Sequence, residues 1–128
     1  MIAVDSSSMI AFFEGEGGPD VEAVDQSLAR GDAVLPPVAL TELLSDPKLP
    51  TDVAARLREL PRLDLLAGYW ERAAALRATV LGRKLRARLA DALIAQSCLD
   101  HRVALISRDS DFLHFARFGG LKLAATPD

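Results

Sequence analysis

Short apolar runs of strand length alternate with stretches of helical periodicity along this chain, and that alternation constrains the fold more than any other feature. Ile2–Val4 precedes three serines and the apolar stretch 9–13, with Ser6 or Ser7 expected to cap the helix that follows. Asp20 opens a second helix that keeps Val21, Val24 and Leu28 on one face and ends at Gly31. Residues 33–35 are a buried strand, after which Pro36 and Pro37 start a helix over 38–45. A further helix spans 51–60, capped by Thr51 or Asp52, and 63–66 reads as a strand. A helix over 69–80, with Trp70, Ala73, Ala74 and Leu76 available for burial, breaks near Gly82 and resumes over 89–99. Strand 103–106 leads through SRDSDF into a helix bearing Phe112 and Phe115, and 121–123 offers a last strand. Strands separated by helices cannot pair as tight hairpins, so the pattern predicts an α/β/α sandwich around a short, largely parallel sheet. No repeat, low-complexity tract or linker interrupts it, and one domain over residues 1–128 is expected.

At 128 residues and 50% hydrophobic content, the chain can bury its own core without a disulfide or structural metal. The single cysteine, Cys98, reads as a small buried residue and fits a reducing, cytoplasmic setting. Acids follow closely behind the first apolar run and no basic segment precedes it, so neither a signal peptide nor a membrane span is expected there. The formal charge of -3 argues against a generally cationic nucleic-acid binder, yet the charges are segregated. Seven acids face one base between Asp5 and Asp32, whereas Arg72, Arg77, Arg83, Lys84, Arg86 and Arg88 crowd the segment before the helix at 89–99. Arg72 and Arg77 fit the solvated face of a helix, while the dense RKLRAR run suits a polyanion.

In an open parallel sheet, ligands bind beyond the carboxyl ends of the strands. Asp5 and Asp109 lie just after strands 2–4 and 103–106, and they converge if those strands are neighbours. Glu42 and Asp91 fall within otherwise apolar helices, ALTELL and LADALIAQ, where a carboxylate needs a partner or a metal. Clustered carboxylates repel unless a proton or cation is shared, and oxygen donors suit a hard ion such as Mg²⁺ or Mn²⁺. Two other readings stay open: Asp5 as a helix cap, and Asp91 neutralised by Arg88 or Arg102. Other strand-then-Asp chemistries lack their residues. A haloacid-dehalogenase-like phosphatase needs a second Asp where Ser7 stands, a receiver domain needs an acid pair before the first-strand Asp, and no Walker A or GxGxxG loop is present. His101 and His114 have no paired carboxylate and read as helix-end or surface residues.

Asp5 in IAVDSSSMIAFF, Glu42 in ALTELL, Asp91 in GRKLRARLADALIAQSCLDH and Asp109 in ALISRDSDF together resemble the PIN-domain ribonucleases, most closely the VapC-type toxins of type II toxin-antitoxin pairs. The resemblance covers essentially the whole chain. It implies a Mg²⁺- or Mn²⁺-dependent endoribonuclease in which Asp5, Glu42, Asp91 and Asp109 form the acidic quartet, Asp5 and Asp91 being direct metal ligands. Asp111 is then an accessory acid, and Ser107 and Ser6 match small hydroxyl residues beside the last and first acids. Arg83, Lys84, Arg86 and Arg88 would hold the RNA backbone, since an acidic pocket alone repels phosphate. The resemblance also implies in-line hydrolysis by a metal-activated water leaving a 5′-phosphate and a 3′-hydroxyl, a cognate VapB-like antitoxin, and a homodimer, for which residues 11–13 with Leu113, Phe115 and Phe118 offer apolar surface. The competing class is a PIN-like protein that binds RNA or an antitoxin, or regulates DNA within such a complex, without cutting.

Overall fold

The computed structural model describes residues 1–125. Among them, four strands, β1 (Ile2–Val4), β2 (Ala33–Val34), β3 (Leu105–Ile106) and β4 (Leu123–Ala125), lie in the order β2-β1-β3-β4 with every pairing parallel. Among the described residues the helices are α1 (Ser6–Phe13), α2 (Pro19–Arg30), α3 (Pro37–Leu44), α4 (Thr51–Glu59), α5 (Tyr69–Gly82), α6 (Leu89–His101) and α7 (Phe112–Gly119). Strand residues alternate between the two faces of a sheet. Accordingly Ala3 and Leu105 join a core with Val80, Ile94, Cys98, Phe112 and Phe115, while Val4 and Ile106 join another with Met9, Val24, Leu40 and Leu57. The expected α/β sandwich with helices on both faces is the observed architecture.

Each helix end has a local cause. Pro at the first turn starts α2 and α3, where its missing N–H costs nothing. Gly31, at φ 72°, ends α2 in the left-handed conformation and returns its N–H to the Leu28 carbonyl. Helix α6 is buried almost all round, with Ala92, Ala95 and Cys98 fully enclosed, so small side chains let it approach the sheet closely.

Several elements differ from the sequence reading. Asp5 itself, not Ser6 or Ser7, caps α1, and Pro50 occupies the cap position of α4 in place of Thr51 or Asp52. Residues 63–66 form no strand. Leu35 bridges Arg62, after which the Asp64 carbonyl is taken by His101 Nε2 at 2.8 Å and Leu65 and Leu66 are exposed. Strand β4 starts at Leu123 because Leu121 closes the end of α7 through its N–H to the Phe115 carbonyl. Trp70 and Ala74 face solvent while Ala73 and Leu76 are buried.

Candidate metal centre

Strands β1 and β3 are neighbours, with Val4 opposite Ile106, so the residues that follow them meet at the carboxyl edge of the sheet. The Asp5 N–H donates to the Ile106 carbonyl at 2.9 Å, continuing the ladder by one bond. The Asp5 carboxylate is buried, and its donors converge on Oδ2: Ser7 Oγ at 2.6 Å, Ser107 Oγ at 2.9 Å and the Ser7 N–H at 3.4 Å. Capping and membership of the acid cluster are therefore compatible. Burial raises the Asp5 carboxyl above its ordinary value, against the lowering effect of the Ser7 and Ser107 hydrogen bonds.

Beyond β3 the chain winds into a short loop that presents two more acids. The Asp109 N–H donates to Ser107 Oγ at 3.0 Å, and the Asp111 N–H donates to Asp109 Oδ1 at 2.9 Å. Ser107 thus links Asp5 on one side to Asp109 on the other. From α3, Glu42 approaches the same edge, where Ser6 Oγ donates to it at 3.0 Å. Glu42 is solvent-exposed, yet partial desolvation against its neighbours raises its carboxyl, and the Asp5 and Asp109 charges add to the effect against the Ser6 hydrogen bond.

Asp91 reaches this edge from the first turn of α6, where it is 7% exposed; among the described residues Asp91, Asp109 and Asp111 form the compact group of acids, with Asp5 and Glu42 beside it but outside it. A carboxylate at a helix N-terminus gains about 0.3–1 kcal/mol from the dipole. Here that gain is outweighed: burial first, then the charges of Asp109, Asp5 and Glu42, push the Asp91 carboxyl up to about 7 despite nearby Arg88. Its Oδ2 is buried without a hydrogen-bond partner among the described residues, and neither Arg88 nor Arg102 forms an ion pair with it among them. Ligand atoms of Asp91, Asp109 and Asp111 lie within 4.8 Å of one another. An orphaned buried carboxylate oxygen inside a set of all-oxygen donors fits a hard divalent cation. Sulfur plays no part: Cys98 is fully buried on α6 and its thiol is pushed up to about 12 by burial.

The basic residues divide into two groups. Arg72 makes paired contacts with Asp100 at 2.7 and 2.9 Å, and Arg77 Nε donates to the Ala87 carbonyl at 2.8 Å, so both brace α5 against its surroundings rather than simply facing solvent. Arg83, Lys84, Arg86 and Arg88 are exposed on the loop before α6. Arg86 lies 3.6 Å from Asp111 and the Arg83 guanidinium stacks 4.8 Å from the Phe118 ring centre, which puts the run at the rim of the acid cluster. Three partners escape the sequence reading: Ser7, buried Asp20 and the partly exposed Arg108 that pairs with it. By sequence Asp20 is a helix opener, and nothing local ties it to Arg108, 88 positions away.

Among solved structures, the chain is similar to VapBC2 from Rickettsia felis bound to a DNA fragment from its promoter, at 19% identity over 100% of both chains with a TM-score of 0.72. FitAcB from Neisseria gonorrhoeae matches at 19% identity over 96% of each chain, TM-score 0.67. FitAB bound to an IR36 DNA fragment matches at 19% identity over 99% of this chain and 95% of the other, TM-score 0.67. At this identity the likeness is one of fold. No curated protein matches the sequence. The PIN domain family model matches residues 2–118, from the first strand past the last of the clustered acids, and by that match the chain belongs to the PIN domain family.

Proposed function

We propose that this protein is a metal-dependent endoribonuclease, the toxin component of a type II toxin-antitoxin pair. One observation carries the reading: Asp91 keeps a buried carboxylate oxygen without a partner, inside a carboxylate cluster at the ligand-binding edge of the sheet. Membership of the PIN family supports the nuclease class. Asp5, Asp91, Asp109 and Glu42 would hold the ion, with Asp111 as an accessory acid. A bound Mg²⁺ or Mn²⁺ supplies Lewis-acid polarisation of a phosphodiester oxygen and lowers the pKa of water. Ser107 and Ser7 fix the Asp5 carboxylate, and Ser6 does the same for Glu42, so the donors are oriented before an ion arrives. Arg83, Lys84, Arg86 and Arg88 offset the acid cluster's repulsion of phosphate and hold the RNA backbone.

The antitoxin partner is proposed from the likeness to the VapBC and FitAB structures. A homodimer draws on less surface than the sequence suggested, because Ala11 and Phe115 are core residues while Leu113 is exposed. Sedimentation of a monomer at micromolar concentration would remove the dimer without touching the nuclease. We place the whole chain in one domain and in the cytoplasm; no described helix is long and apolar enough to cross a membrane. A second reading, a non-cutting member of a DNA-bound complex, is favoured by the DNA present in two of the similar structures.

The test is cleavage of a structured RNA pool by purified protein with Mg²⁺, Mn²⁺ or EDTA, beside Asp5→Asn and Asp91→Asn. Metal-dependent cutting lost in both variants is the expected result. Cutting that both variants retain would mark a contaminating nuclease, and that result or no cutting by the wild type, alongside intact RNA or partner binding, favours the second reading.

A further inference from the structure

Arg108 stands between Ser107 and Asp109, in the loop that carries two of the clustered acids, yet its guanidinium is engaged elsewhere. Nε donates to Asp20 Oδ2 at 2.8 Å, Nη2 donates to Asp20 Oδ1 at 3.2 Å and to the Gly17 carbonyl at 3.1 Å, and Nη1 reaches Glu16 Oε2 at 3.4 Å. Asp20 is fully buried, and Ser8 Oγ from α1 donates to its Oδ2 at 2.8 Å. The turn before α2 is shaped around this pair. Gly18 has φ +135°, and a Cβ there would come within 2.9 Å of Asp20 Oδ1.

Loop 107–111 is therefore anchored on two sides, inward through Ser107 to Asp5 and outward through Arg108 to Asp20. It needs both. Asp109 and Asp111 are held within 4.8 Å of Asp91, where carboxylate repulsion drives the loop away from the cluster. A bidentate guanidinium on a buried carboxylate is a stiff, directional restraint against that displacement.

We infer that Arg108, clamped on Asp20, is a positioning residue that holds the Asp109–Asp111 loop against carboxylate repulsion and so sets the cluster's affinity for a divalent cation. The inference rests on the metal-site reading given above. Arg108 touches neither the ion nor the substrate in this account.

Mn²⁺ titration calorimetry on the full chain, without RNA, tests it. Binding by the wild type that Asp91→Asn abolishes supports the metal site itself; no binding, or equal binding in both, overturns that reading and this inference with it. Given such binding, Arg108→Met and Asp20→Asn are expected to raise the Mn²⁺ Kd about 10–100-fold, as loss of outer supporting groups does elsewhere. Arg108→Lys, which keeps one donor, should fall between. Arg72→Met breaks a comparably short ion pair with Asp100 and should lower the melting temperature while leaving the Kd unchanged. Wild-type Kd in folded Arg108→Met, or an equal weakening in Arg72→Met, overturns the positioning role. Should Arg108→Met not fold, Arg108→Lys decides: weakened Mn²⁺ binding supports the role, and wild-type binding refutes it.

Discussion

Asp20 and Asp91 are both buried carboxylates near the N-termini of their helices, and the protein treats them in opposite ways. Asp20 is fully enclosed and receives Ser8 and a bidentate Arg108. Burial alone would raise its carboxyl, but the Arg108 and Ser8 hydrogen bonds with the Arg108 charge outweigh it and hold the carboxyl below its ordinary value. Asp91 has an unpartnered oxygen and three acids whose charges act on it, and is driven up to about 7. Burial is common to both, so burial does not separate structure from function. Satisfaction separates these two acids: the fully paired one ties α1, α2 and the loop after β3 together, and the unpaired one is the ligand of the proposed metal centre.

The comparison breaks most visibly if Arg108 is removed. Arg108→Ala leaves Asp20 buried without its cation and should lower stability by about 2–3 kcal/mol, below the usual 3–5 because the guanidinium is partly exposed; urea unfolding measures it. Asp91→Asn should move the metal-free protein the other way. Replacing a strained carboxylate by a neutral amide at pH 8 stabilises on the order of 1–2 kcal/mol after discounting for solvent screening, several degrees in melting temperature.

The two acids also give opposite pH responses. Asp91's native value lies above its ordinary 3.8, so its contribution is fully present at acid pH and is lost as pH rises through about 7. Asp20's native value is lowered, so its contribution is present above the ordinary carboxylate range and lost as pH falls through that lowered value. Without metal, wild-type stability should decline from mildly acidic pH toward pH 8, and Asp91→Asn should reduce that decline to the part owed to the raised Asp5 and Glu42 while keeping the loss in acid. The same decline in both would assign it to other groups. The smallest stability effect belongs to the exposed rim: Arg83→Ala with Arg86→Ala should change stability by less than about 0.5 kcal/mol. RNA binding should nonetheless weaken and its salt dependence flatten; an unchanged slope would place the basic run away from the RNA.

What the sequence disclosed follows the same division. Asp5 and Asp109 were legible because an acid after a buried strand lands at a predictable edge, and Asp91 because a carboxylate in an apolar helix conflicts with its surroundings; the same argument pointed to Glu42, but Glu42 is solvent-exposed and meets no such conflict. Conflict is a local signal. Satisfaction is not: Asp20 looks like an ordinary helix opener, and its partner lies 88 positions away. Arg72 and Arg77 resembled a solvated face for the same reason, their acceptors being on other segments. Residues 63–66 had strand composition, but pairing stops after the single bridge at Leu35 and leaves Leu65 and Leu66 exposed.

The most direct measurement is thermal unfolding of wild type and Asp91→Asn at pH 8, with and without Mn²⁺. The metal-free variant should be the more stable of the two, and Mn²⁺ at about 100 times its Kd should stabilise the wild type by about 2.7 kcal/mol while leaving the variant unmoved. Equal Mn²⁺ shifts in both proteins, or none in the wild type, would contradict the assignment of Asp91 as the open ligand of a metal centre.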